Sequence, residues 1–418
     1  MLLKAGDKWL GETFPASGAG LFDAATFNSV YASTLASQTA AYQGGTPMPG
    51  GLTFTSYKNL LLTAGLSSSE ATTRANEYCR MKAVVDAEVA AHAAANASAS
   101  TKRVLVTRYG SGANPVLDGL GTTNFGVNAD GTVSAWKFEH IEVKNYLGPG
   151  FWIDTALLKA GLWLDDVSSH DNRNPTNSPI GNVPLLGGRY LGAGFWFGNA
   201  QYTHISNSTF DNNDCPHLLG GGDNSGALYE NVSANHSQYL HPFIQDATGV
   251  VHIGGVYDHQ CDGPGVNTGS AGMFVKHATD VVFTGVTFQN TAAPFLKDGE
   301  GLDIEGGTVN LTIFDCVFAD NAGTALSDFN NDGGQPPNQG TKVDNSTFTN
   351  NGIGFPANSR ANLIFIPEAV QQVTNRLTFT RCTVVKATSP AQPFLYAWHG
   401  YTDPTDVITD NWPNGVFA

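Results

Sequence analysis

The segment EGLDIEGGTVNLTIFDCVFADNAG, residues 300–323, sets two carboxylates, Asp303 and Glu305, two positions apart in a short apolar run. Alternate residues of a β-strand share a face, so both acids emerge on one side at a repeat of roughly 6.5–7 Å. Carboxylates so placed can divide glycosidic hydrolysis between them, one as general acid and one as general base. Four other segments align with GLDIE (301–305) through a leading Gly or Pro: GFWID (150–154), GFWFG (194–198), PFIQD (242–246) and GMFVK (272–276). If the second residue of each points inward, the third and fifth point outward. One outward column is then Trp152, Trp196, Ile244, Phe274 and Asp303, and the other is Asp154, Gly198, Asp246, Lys276 and Glu305. Asp303, Glu305, Asp246 and Lys276 are the catalytic candidates. Lys276 beside two acids can separate their pKa values and so their roles. Trp152, Trp196 and Phe274 are candidates for stacking against sugar rings, and His241, just before the Asp246 strand, for a polar contact. The plainer alternative is a solvated ladder of outward charges. Outward tryptophans weigh against it, since large apolar residues facing out usually have a partner. An overlying insertion would supply one too.

The elements that must position these residues repeat along the chain. A short apolar strand followed by a turn rich in Asn, Asp or His recurs, as in FEHIEVKN, WLDDVSSHDN, LYENVSANHS, VFTGVTFQN and IFDCVFADN. Aligned on Ile141, Val167, Ser208, Val232, Val256, Val286, Cys316, Ser346 and Cys382, the steps are 26, 41, 24, 24, 30, 30, 30 and 36 residues. A near-constant step with insertions is the pattern of a solenoid whose coils carry loops. Alternation of period two within each unit predicts an all-β parallel β-helix of nine coils over residues 102–400. Asn and Asp fit its turns because they tolerate the left-handed region and bond their own backbone. An amide ladder is expected through Asn290, Asn321 and Asn350. Cys316 and Cys382 share a column two coils apart, too far for a disulfide.

Residues 21–100 break the repeat. Their Ala-rich sequence, with Tyr78, Met81, Val85, Val89 and His92 at helical spacing, predicts a helical insertion, 21–100, in a β-helix domain formed by 1–20 and 101–418. A β-helix end exposes strand edges, so the insertion is expected to cap an end or edge.

Composition narrows the partners. A net charge of −15 argues against a nucleic-acid phosphate partner, which needs Lys/Arg stripes, and against an anionic membrane surface. Five scattered cysteines make neither a disulfide framework nor a zinc pattern. No apolar run reaches the ~20 residues of a membrane span. Lys4, Gly6 and Asp7 interrupt the apolar start too early for a signal peptide. We expect a monomer.

LLKAGDKWLGETFPASGAG and VLVTRYGSGANPVLDG resemble the two halves of the opening coils of secreted right-handed parallel β-helix proteins, the pectate-lyase-like superfamily. GEGLDIEGG followed by FDCVFADNAGTAL resembles a recurring motif of the same group. The resemblance implies a carbohydrate-active protein located outside the cell or in the periplasm, acting on a polysaccharide or oligosaccharide. It does not carry over catalytic residues. The polygalacturonase set Asn-Thr-Asp, Gly-Asp-Asp, Gly-His-Gly and Arg-Ile-Lys is missing, as is the pectate-lyase Arg-x-Pro-x-x-Arg.

Three functions follow. The first is a glycoside hydrolase using two carboxylates and no cofactor. The second is a Ca²⁺-dependent polysaccharide lyase with Lys276 as base and carboxylates on the metal. The third is a tailspike or adhesin module that binds glycan without cleaving it. Asp328, Asp332 and the NNDGG loop (330–334) are a further candidate Ca²⁺ site. His217, His236, His241 and His259 lie near acids on successive coils. Turn and packing roles are the expectation for them, with His241 the one nearest the candidate site.

Overall fold

The computed structural model describes residues 2–16, 22–63, 65–99, 103–129, 134–153, 159–180, 185–186, 189–220, 224–263, 269–293, 298–329, 336, 338–355, 364–366, 377–385, 395–397 and 407–410. Its strands form parallel sheets of 21 and 11 strands, plus one small antiparallel pair, Leu185–Leu186 with Arg189–Tyr190. Each coil donates strands to both large sheets, which makes a parallel β-helix. Eleven strands on the smaller sheet make a rod of roughly 48 Å at a strand spacing of ~4.8 Å.

Corners are made by single left-handed residues that recur from coil to coil in columns, one of which runs along the larger sheet. His140, Asp166, Asn207, Asn231, Asp315, Asn345 and Arg381 have φ of 50–56°, with Gly254 and Gly285 in the same column. Asn and Asp dominate because their short polar side chains tolerate this region. Many bond the coil above: Asn310 Nδ2 donates to Asp280 Oδ1 at 3.1 Å and Asn345 Nδ2 to Asp315 Oδ1 at 2.6 Å. The expected amide ladder divides in two. Asn321 bonds Asn351 inside the coil at 2.8 Å, whereas Asn350 bonds Asp320 at the corner and Asn290 bonds Asp258. Gly255, not Val256, occupies the inner column with Val232 and Val286, since Val256 pairs with Thr287. A Cβ at Gly255 would lie 1.9 Å from the Val232 carbonyl oxygen, so only glycine fits. Cys316 and Cys382 are buried free thiols.

The interior is apolar and stacks by type. Phe288, Phe318 and Phe348 are stacked at 5.1 and 5.0 Å, and Val250, Val281, Ile244, Val275 and Ile304 line the same core. The opening segments pair as one coil. Leu2–Lys4, Lys8–Leu10 and Phe14–Ala16 lie on strands 107–109, 116–118 and 127–129.

Between them the chain leaves for three helices, α1 (Ala24–Gln43), α2 (Phe54–Thr63) and α3 (Ser68–Ala99). Asp23 caps α1, its carboxylate accepting from Thr26 N at 2.9 Å. The insertion does not cap an end. Leu228, Val251, Val282 and Phe314 face outward from the large sheet, and the helices bury them. Contacts of Lys82 with Asp315 and of Asn96 with His204 show that α3 runs along the rod. The ~21 Å of helix between them matches the ~19 Å of four coil steps. Close packing is possible because Ala71, Ala75, Cys79, Ala83, Ala87, Ala91 and Ala95 repeat every four residues and are fully buried. Small side chains on one helical row let the backbones approach. Among the described residues, no helix is long and apolar enough to cross a membrane.

Candidate functional site

On the outer face of the smaller sheet, register places Trp152, Trp196, Leu218, Phe243, Phe274, Asp303 and Ser327 in one column. The next column contains Gln245, Lys276 and Glu305. Asp303, Glu305, Lys276, Trp152, Trp196 and Phe274 therefore do share a face.

Two members of the expected columns do not. Ile244 pairs with Val275 in the core, and Phe243 takes the outward place. Asp246 leaves the strand at a corner, with φ of 51°, and its Oδ1 lies 3.3 Å from His277 Nδ1. Gln245 stands where Asp246 was expected. The strand is displaced by one residue from the Gly/Pro alignment, and a one-residue slip exchanges the faces. The intervening strand Cys215–Leu219 begins Cys-Pro-His and does not match the alignment. Asp154 and the 330–334 loop with Asp332 lie outside the described residues. Asp328 points into the coil, in the column of Ile304, and accepts a 2.6 Å bond from Asn338 Nδ2.

Trp152 and Trp196 are outward but not accessible. They are 4 % and 3 % exposed and meet edge to face at 5.4 Å. Ile180 and Leu191, from the segment between the two tryptophan strands, and Tyr239 and Leu240, from a loop of a later coil, close over them. The rings are the floor of a second apolar cluster and not a sugar platform. His241 belongs to the same cover. It packs on Phe243 and Phe274 at 4.6 and 5.1 Å, and burial pushes its pKa down to about 3. It is a neutral packing residue, not a ligand group. His217 and His252 lie in the interior, where both rings bond the Tyr257 hydroxyl, at 2.8 and 2.7 Å. His236 and His259 stack on each other at 4.8 Å at the corners.

The cover ends at Phe274, whose register neighbour is Asp303. From there the column turns polar. Asp303 keeps some exposed surface, yet its Oδ1 is buried without a hydrogen-bond partner. Burial, reinforced by the negative charges of Glu300, Glu305, Asp298 and Asp328, raises its pKa well above the usual carboxylate range. Glu305, two residues on, has a different environment. Lys276 Nζ donates to its Oε2 at 3.0 Å, and both side chains are about one-fifth exposed, at 19 % and 21 %. One acid thus favours its protonated form while its neighbour forms an ion pair. Glu300 and Asp298 were not among the candidates. Glu300 lies in the same GEGLDIE segment, but its parity with Leu302 and Ile304 sets it inward, and nothing in a period-two reading marks an inward acid as part of a site. Among the described residues, no group of three or more His, Cys, Asp or Glu side chains is arranged to hold a metal ion.

No protein-family model matches the chain, and no curated protein does. Solved structures do. The A-module of a mannuronan C-5 epimerase from Azotobacter vinelandii is similar over 78 % of this chain and 95 % of that one, at 14 % identity and a TM-score of 0.47. An alginate lyase from a Paenibacillus species is similar over 72 % and 84 %, at 12 % identity and a TM-score of 0.42. The catalytic domain of an α-1,3-glucanase is similar over 74 % and 61 %, at 13 % identity and a TM-score of 0.39. These are likenesses of shape, and the chemistry rests on this chain's own residues.

Proposed function

We propose that the chain is a glycoside hydrolase that uses Asp303 as general acid and Glu305 as general base, with Lys276 as the residue that positions Glu305. The observation that carries this reading is the contrast between the two carboxyls. Asp303 is held toward its protonated form by burial and surrounding acids, and Glu305 is ion-paired to Lys276. Environments that push two acids apart are how one site runs acid and base chemistry at one pH. Asp303 would give its proton to the glycosidic oxygen as the C–O bond breaks. Glu305 would take a proton from the water that attacks the anomeric carbon.

The lyase reading asks Lys276 to be the base. An ammonium already donating to Glu305 must first surrender its proton and its partner, which disfavours that role. The cover over Trp152, Trp196 and Phe243 also bears on substrate. A glycan reaching Asp303 would lie over the coils from Phe274 onward and not along the whole face.

The test is a panel of neutral and uronate polysaccharides incubated with the wild-type chain, Asp303→Asn and Glu305→Gln. New reducing ends without unsaturated products, lost in both variants, support hydrolysis. Unsaturated uronate products that disappear with EDTA would replace it with the lyase reading. Binding without any product would leave a glycan-binding module.

A further inference from the structure

The helical insertion does not lie flush on the large sheet along its full length. Between α2, the first four turns of α3 and the outer face of the sheet is a cavity of about 450 Å³, within the range of small-molecule sites. The sheet beneath it changes character at that place. Val251, Val282, Thr312, Lys342 and Thr378 form one outward column in register. The two valines pack against the insertion; the column becomes polar where the cavity opens. Thr312 is fully buried there, and its Oγ1 has no hydrogen-bond partner. A buried hydroxyl left unpaired is costly where a valine would fit, so Thr312 calls for a ligand atom in the cavity.

The rest of the lining says what kind of ligand. Tyr78, stacked on Tyr57 at 4.1 Å and edge-on to Phe314 at 5.4 Å, builds an apolar wall with Met81. Asn310 and Gln339 add amides. The four charged residues are already matched, Arg74 with Glu70 at 3.2 Å and Lys342 with Glu77 at 3.5 Å. The cavity thus offers neutral donors and acceptors, an aromatic wall and no net charge. That suits a neutral, hydroxyl-rich ring with one apolar face.

We propose that this cavity is a binding site for a neutral pyranose unit of an oligosaccharide, distinct from the Asp303 site. Asp303 is on the smaller sheet and Thr312 follows it around the coil onto the larger one. The proposal does not depend on whether Asp303 cleaves anything.

The experiment is calorimetric titration and saturation-transfer NMR of the intact chain with cellobiose, maltose and a dimannuronate. Saturable one-to-one binding of a neutral disaccharide is expected. Thr73→Trp, at an exposed position on the cavity mouth, should weaken it by about tenfold or more. Thr312→Val should weaken it by about two- to tenfold, one hydrogen bond's worth, while the melting temperature holds or rises. Asp303→Asn should leave the affinity within about twofold. The proposal is overturned if neither neutral disaccharide binds, if the dimannuronate binds more tightly than both, if Thr73→Trp and Thr312→Val bind like the wild type, or if Asp303→Asn removes the binding. Circular dichroism of each variant separates lost binding from lost fold.

Discussion

Lys276 and Glu305 are direct register neighbours on adjacent coils, and the Lys276 ammonium lies 3.0 Å from Glu305 Oε2 on the outer face of the smaller sheet. Parallel strands hold the two Cα atoms about 4.8 Å apart, so the pairing follows from the coil step and needs no loop to arrange it. Removing the ammonium takes away the contact that holds the Glu305 carboxylate in place. Lys276→Ala is therefore expected to lower turnover by roughly tenfold. A flat loss to zero at every pH would instead identify Lys276 as the base of a lyase. Unchanged turnover would reduce the pair to a surface ladder.

Trp152 and Trp196 give the opposite kind of expectation. Both are sealed under Ile180, Leu191 and Leu240, so truncating either opens a cavity. Trp152→Ala and Trp196→Ala should each cost about 3–5 kcal/mol in urea unfolding. Full stability with lost glycan binding would show that the cover opens and the rings meet substrate.

The coil repeat was legible because it is local. Left-handed corners select Asn, Asp and Gly, and strand faces alternate strictly, so Val286, Cys316 and Ser346 lie at a constant step of 30 residues. The site was half legible for the same reason. Asp303, Glu305 and Lys276 sit in strands that begin alike, GMFVK and GLDIE, and register followed. Asp246 and Ile244 failed because a proline start in PFIQD does not fix the same phase as a glycine start. The burial of the tryptophans was illegible. Whether an outward ring meets solvent depends on Tyr239 and Leu240, more than forty residues from Trp196, and outward parity says nothing of what lies above. The placement of α3 does have a signal in the sequence: alanine or cysteine at every fourth position from 71 to 95 marks a face pressed on a flat partner along its length.

His241 links that cover to acid sensitivity. Burial holds its pKa down to about 3, against ~6.5 in an unfolded chain. Between those values the unfolded state binds a proton that the native state refuses. Native stability is therefore lost as pH falls below ~6.5, by about 1.4 kcal/mol per pH unit for this group. His241→Phe keeps a ring against Phe243 and Phe274 and removes the titration. The stability difference between variant and wild type should be constant above pH ~6.5 and grow in the variant's favour below it. Parallel curves down to pH ~4 would mean that the His241 ring takes up a proton in the native state.

Asp303 titrates in the other sense, and this separates a site residue from a structural one. Its native pKa lies well above the usual value because of burial and the neighbouring acids. Below ~3.9 both native and unfolded chains hold the proton, and Asp303 costs nothing. As pH rises above that value the unfolded chain releases the proton first, so stability falls until the native carboxyl also ionises. Asp303→Asn removes the penalty and fills the same space. The variant is expected to melt higher than the wild type at pH 7, on the order of 1–3 °C. The gain should shrink to nothing below pH ~4. Cleavage should fall by a factor of ~10²–10⁴, since an amide cannot deliver the proton. Higher melting together with lost turnover marks a carboxyl kept at the expense of stability. A variant that melts lower at pH 7 and still cleaves would assign Asp303 to the structure of the coil, and the chemistry would have to be sought elsewhere on the chain.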